Sequence, residues 1–153
     1  MKKYALTAIL AAFIMIGGVA LGADSNTLTV SASVTGSCRF SSGTSTLNFG
    51  TLDQNSGADA TATGSTQFWC TRNASYTLSA NNGLYYDTNR RMRHATEATE
   101  HIPYNLSFTP TTGTGAGKAS PITLSLSGTV TNANYVNAIA GNYADTVTLS
   151  ITP

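Results

Sequence analysis

An all-β, antiparallel sandwich is the architecture to expect from this chain. Apolar side chains recur at every second position in several separate stretches. The segments joining them are rich in Gly, Asn, Asp and Ser. No helical period follows the apolar leader. Period-two alternation gives a strand one apolar and one polar face, and roughly seven or eight such strands at regular spacing must pair and stack to hide their apolar faces.

The leader comes first. Lys2 and Lys3 precede the uncharged apolar run Ala5–Ile16, and Ala20-Leu21-Gly22 puts small residues before Ala23. Residues 1–22 therefore read as a secretory signal peptide, too short and wrongly flanked for a lasting transmembrane helix. No second apolar run long enough to span a bilayer follows, so the mature chain is expected to be exported and soluble.

The mature chain opens on "TLTVSASVTGSC" (27–38), where Leu28, Val30, Ala32 and Val34 alternate with Thr29, Ser31 and Ser33. A lone strand is not stable in water. Its apolar face must enter a core, either its own or another molecule's. "LNFGTL" (Leu47–Leu52) reads as a short strand. In "STQFWCT" (Ser65–Thr71), Thr66, Phe68 and Cys70 oppose Gln67 and Trp69, so Trp69 points to the face opposite Cys70. Tyr76, Leu78 and Ala80 form the next strand, and Ile102, Tyr104, Leu106 and Phe108 another. Thr109–Ala119 is low in complexity and reads as a loose hairpin loop. Ile122, Leu124, Leu126 and Val130 follow, with Gly128 marking a bulge or a close contact. Val147, Leu149 and Ile151 close the chain two residues before Pro153. The sequence thus begins and ends on a strand.

From Ala23 onward six basic residues face seven acidic ones. That near balance gives no electrostatic case for nucleic acid or an acidic membrane. Cys38 and Cys70 are the only cysteines, and an exported chain meets an oxidising compartment, so they are expected to pair. A bridge closing a loop of about 33 residues is worth roughly 3–4 kcal/mol.

Three clusters could carry chemistry. "HATEATEH" holds His94, Glu97, Glu100 and His101, but the spacing fits no strong metal motif, and a solvated loop is the reading taken. "RRMR" (Arg90–Arg93) could meet an anionic glycan, but reads as a solvated hairpin end. Tyr85, Tyr86 and Tyr135 could stack on a sugar, yet scattered core or surface aromatics are the simpler reading. No nucleophile elbow or phosphate loop is present. No enzyme, metal, cofactor or small-molecule substrate is expected.

"LNFGTLD" (Leu47–Asp53), "FWCT" around Cys70, "RRM" (Arg90–Met92), "IPYNL" (Ile102–Leu106) and "GNYADTVTLSI" (Gly141–Ile151) occur in one order, after an alternating leading strand and the first cysteine. This ordered set resembles the spore coat protein U domain family, which includes archaic, Csu-type pilins. The resemblance spans nearly the whole mature chain. It implies an incomplete immunoglobulin-like sandwich completed by donor-strand exchange. It also implies a periplasmic chaperone, an outer-membrane usher and neighbouring pilus subunits as partners, and a bacterial surface fimbria as destination. Carried onto this chain, residues 23–36 become a donor extension with Leu28, Val30, Ala32 and Val34 as anchors, and 37–153 the pilin-like domain. Val147, Leu149 and Ile151 would border the acceptor groove, with the strand carrying Cys38 on its other side. Two features depart from the family pattern: the charged loop "RHATEATEH", and Pro153 where an aromatic is common. The competing expectations are a self-contained surface or spore-coat protein, whose first strand packs in its own domain, and a small carbohydrate-binding module.

Overall fold

The structure is a computed structural model and describes residues 22–153. All but Gly22 of the expected leader lies outside the described residues. The chain divides into two units at Ser33/Val34. In the first, residues 22–33 carry no regular secondary structure, and Leu28 and Val30 are each 83% exposed.

The second unit holds nine strands among the described residues. They are β1 (Cys38–Phe40), β2 (Ala60–Cys70), β3 (Ser75–Ala80), β4 (Arg90–His94), β5 (His101–Thr109), β6 (Thr112–Thr114), β7 (Ile122–Val130), β8 (Tyr143–Ala144) and β9 (Leu149–Thr152). One short helix, α1 (Asn132–Tyr135), sits between β7 and β8. All pairings are antiparallel. One sheet runs β1-β2-β7-β5-β4-β8 and the other β6-β3-β9.

The alternations place the core. Phe68 and Cys70 of β2, and Leu124 and Leu126 of β7, meet Tyr76 and Leu78 of β3 across the sandwich. The Phe68 and Tyr76 rings pack edge to face at 5.0 Å, a favoured aromatic geometry. A second cluster of Ile102, Tyr104, Val130 and Tyr135 lies beneath α1. The helix is held by its neighbours, since four residues cannot stabilise themselves. Tyr135 Oη donates to Ala58 O at 2.6 Å, and Asn132 N–H donates to Asp59 Oδ1 at 2.8 Å. Cys38 and Cys70 are joined by a disulfide, with Sγ–Sγ 2.04 Å.

Five local expectations are corrected. Leu47–Leu52 is not a strand: Leu47, Phe49 and Leu52 pack on the core, but residues 44–49 share no backbone–backbone hydrogen bond with the described chain. Thr109–Ala119 is not a loose loop, because β6 pairs with β3 and Gly115 is buried against Cys70 and Thr71. Arg90–Arg93 is not a hairpin end but the body of β4, paired along its length with β5 and at Arg93 also with β8. Its side chains find local partners: Arg90 donates to Asn81 O at 2.6 Å, Arg91 pairs with Asp87 at 3.2 Å, and Arg93 lies 4.3 Å over the Tyr85 ring. His94 is buried rather than in a solvated loop. Its Nδ1 accepts from Glu97 N–H at 3.0 Å and Thr96 N–H at 3.2 Å, and its Nε2 faces Ala140 O at 3.2 Å. Finally, α1 is helical where no helix was expected.

Gly128 is a close contact and not a bulge. The β2–β7 register runs unbroken through it, and a Cβ there would stand 2.7 Å from Leu47 Cδ2 and 2.8 Å from Phe49 Cζ.

Candidate functional site

The site is a cleft along the free side of the last strand. From Tyr143 to Ile151, side chains at every second position point inward: Tyr143, Asp145, Val147, Leu149 and Ile151 are half-buried, and the residues between them exposed. This run starts in one sheet as β8 and ends in the other as β9, bending between Asp145 and Thr148. β9 pairs only with β3. Among the described residues its opposite edge carries no strand, and an unpaired edge with an apolar inner face is a template for another strand.

Facing that edge is the segment that follows β1, residues 45–49. Between the two walls lies a cleft of about 260 Å³, floored by Met92, Leu106 and Leu126 and walled by Leu47, Phe49, Val147 and Leu149. Met92, Leu106, Leu47, Phe49, Val147 and Leu149 are only half-buried, whereas Phe68, Leu124 and Val130 deeper in the sandwich are fully so. The core is therefore closed at its centre and open along one line. The cleft continues past Phe49 into a wider lobe of about 830 Å³ between residues 47–55 and 138–143.

The segment 45–49 reaches its place because β2 and β7 carry glycines beneath it. A Cβ on Gly64 would stand 2.6 Å from Thr46 O, and one on Gly128 would meet the Leu47 and Phe49 side chains. Only glycine lets the wall lie this close to the sheet.

One polar pair sits in this apolar cleft. Tyr104 Oη donates to Asp145 Oδ2 at 2.7 Å. The other oxygen, Oδ1, accepts from Leu84 N–H and Thr146 N–H, both at 2.8 Å. Burial pushes the Tyr104 hydroxyl well above the ordinary phenol range, and the Asp145 carboxylate it donates to pushes the same way. Asp145 thus ties the 81–84 turn, β5 and the bend of the last strand together.

Of the expected groove residues, Val147 and Leu149 line the cleft. Ile151 instead packs with Leu149 against the Phe68 cluster. The wall opposite is residues 45–49, downstream of the strand carrying Cys38. Of the expected donor residues, Leu28, Val30 and Ala32 lie in the first unit, and all three are exposed. Val34, which begins the second unit, is 86% exposed. Sequence reasoning missed Gly64 and the Tyr104–Asp145 pair. Both had a signal: a glycine inside a strand, and an acid at an inward position of the "YADTVTLSI" alternation.

The other candidate clusters are not assembled as binding sites. Among the described residues, no three His, Cys, Asp or Glu side chains come together to hold a metal. Both His94 ring nitrogens are engaged, and the His101 ring lies tilted at 60° to that of Tyr85, 6.2 Å away. Tyr135 is buried, while Tyr86 is 47% exposed and Tyr85 is covered by Arg93. Trp69 is half-buried, with Lys118 Nζ 5.9 Å over its ring.

Among curated proteins no match to the chain is found. The fold resembles that in the crystal structure of the CsuC–CsuE chaperone–tip adhesion subunit pre-assembly complex, from the archaic chaperone–usher Csu pili of Acinetobacter baumannii. The TM-score is 0.50 at 21% identity, covering 77% of this chain and 40% of that one. This chain therefore spans well under half the length of the matched chain. The family model for the Spore Coat Protein U domain matches residues 24–150. By that match over most of its length, the chain belongs to the Spore Coat Protein U domain family.

Proposed function

We propose that this protein is a non-enzymatic structural subunit of a bacterial surface pilus, polymerised by strand donation between copies or sister subunits. The single observation that carries the reading is the cleft between residues 45–49 and 143–149, with its half-buried apolar walls and the edge of β9 left unpaired among the described residues. A strand laid there would extend the β6-β3-β9 sheet by backbone hydrogen bonds and seat alternate side chains on Leu106 and Leu126. The leading segment has the matching chemistry. Leu28, Val30, Ala32 and Val34 stand on one side of a strand pattern and are exposed. Burying Leu28, Val30 and Val34, with Ala32, is worth on the order of 5–9 kcal/mol before entropic costs. Donation from one copy to the next is head to tail and does not close, so it builds a filament.

The pilus machinery follows from the same reading. The chain would cross the periplasm with a chaperone lending the missing strand, and an outer-membrane usher would exchange it for a neighbour's. The likeness to a chaperone–subunit complex of Csu pili supports this route, and a role in adhesion or biofilm formation accords with it. The test is removal of residues 23–34. The truncated chain is expected to fold with its chaperone and accept a donor, but not to donate. Normal polymer formation by the truncated chain would refute the reading.

A further inference from the structure

The domain from Ser37 to Pro153 carries six basic and six acidic residues, and they are not mixed evenly. Arg39 lies beside Trp69 in the β1–β2 register, Lys118 lies over the Trp69 ring, and Gly117 packs beside Arg72. Arg39, Arg72 and Lys118 are exposed, and none of the six acids falls on the segments forming this cap. The cap surrounds the Cys70 end of β2. The other end of β2, about 33 Å away at ~3.3 Å per residue, carries Asp59, with Asp53 in the turn that wraps α1. Both are exposed.

These two ends relate to the cleft in opposite ways. The chain enters the domain beside the basic cap, where Ser37 N–H donates to Thr71 Oγ1 at 3.0 Å. The wide lobe of the cleft opens beside Asp53 at the acidic end. β9 runs toward the basic end, since Thr152 pairs with Thr77 and Leu149 with Ala80. A donor strand antiparallel to β9 therefore has its root at the acceptor's acidic end. A parallel donor would press one basic cap against another.

We propose that successive copies make a second, electrostatic contact. The cationic cap of the donor copy, Arg39, Arg72 and Lys118 around Trp69, seats on the Asp53 and Asp59 end of the acceptor copy. This rests on the strand-donation reading and adds to it a docking surface between successive copies. The contact steers the root of each donor to the correct mouth of the cleft.

Charge reversal in the full-length chain tests it, with polymer growth followed by light scattering at low and high salt. Arg39→Glu with Lys118→Glu, and separately Asp53→Lys with Asp59→Asn, are expected to slow growth about tenfold at low salt and to reverse its salt dependence, since salt then screens a repulsion. Asn at position 59 keeps an oxygen for Asn132 N–H. Combining all four changes is expected to restore most of the rate. Growth at the parent rate by both double variants, with Val30→Glu still blocking the polymer, would overturn the end contact and leave strand donation standing. If Val30→Glu polymerises like the parent, strand donation and the contact that rests on it both fall.

Discussion

Replacing Gly64 by alanine is expected to damage the cleft from beneath. The added methyl would stand 2.6 Å from Thr46 O, a backbone atom that cannot rotate away. Reaching ordinary van der Waals separation requires the 45–47 backbone to rise by about 0.8 Å. That segment is held by the packing of Leu47 and Phe49 and not by a hydrogen-bonded ladder, so it yields. Overpacking of this kind costs about 1–3 kcal/mol. For a domain of this size that is a fall in melting temperature of about 4 °C per kcal/mol. The larger consequence is functional, because the displaced segment is one wall of the cleft, and a donor strand must touch both walls at once. Thermal unfolding by circular dichroism and the yield of heat-resistant polymer ladders read the two effects. An unchanged melting temperature together with a parental ladder would refute the argument that Gly64 sets the wall.

Three further outcomes are expected. Val30→Asp places a carboxylate in the donor row and should abolish polymer while leaving the domain's melting temperature unchanged, since Val30 is exposed in the subunit; a parental polymer yield would count against donation. Replacing both Cys38 and Cys70 by alanine should cost roughly 3–4 kcal/mol, the chain-entropy value for a loop of about 33 residues, read as a lower denaturant midpoint that reductant no longer shifts. The raised Tyr104 hydroxyl makes stability fall at alkaline pH. A group whose folded pKa lies above its unfolded value of 10.0 contributes its full stability below that value and loses it as pH rises beyond. Tyr104→Phe should therefore be less stable at neutral pH by about 1 kcal/mol, with a shallower loss above pH 10 than the parent.

The strands with apolar inward rows were legible because two faces of different polarity leave a period-two trace. β2, β3, β5, β7 and β9 all overlap stretches that alternate in the sequence. β4 was not legible, because "RRMRH" places arginines at three of its five positions and a histidine inward. Its polarity is satisfied by Asn81 O, Tyr85 and Asp87 in the turn just before it and by Ala140 O far downstream, contacts that leave no alternating trace in the sequence. Leu47–Leu52 failed the other way. The alternation was real, since Leu47 and Phe49 do pack inward, but alternation reports a buried face and not a paired backbone. The cleft was readable only as a shortage of strands. Its floor and the Tyr104–Asp145 pair needed the packing of three elements.

An acceptor subunit of the kind proposed must be folded and unfinished together, and the distribution of burial in this chain accords with both. The residues that close completely, Phe68, Cys70 and Leu124, sit by the disulfide where both sheets overlap. The residues left half-open, Met92, Leu106, Val147 and Leu149, lie along the line where the last strand crosses between sheets. Asp145 holds that crossing by hydrogen bonds to Leu84, Thr146 and Tyr104 and not by apolar contact. Hydrogen bonds fix geometry without needing the apolar cover a donor would bring, so the wall keeps its shape while its neighbours stay exposed. Had the crossing been fixed by aliphatic packing, forming the wall would have required filling the cleft. On the strand-donation reading, the inward carboxylate in an apolar row is therefore what would let the groove exist before a strand arrives.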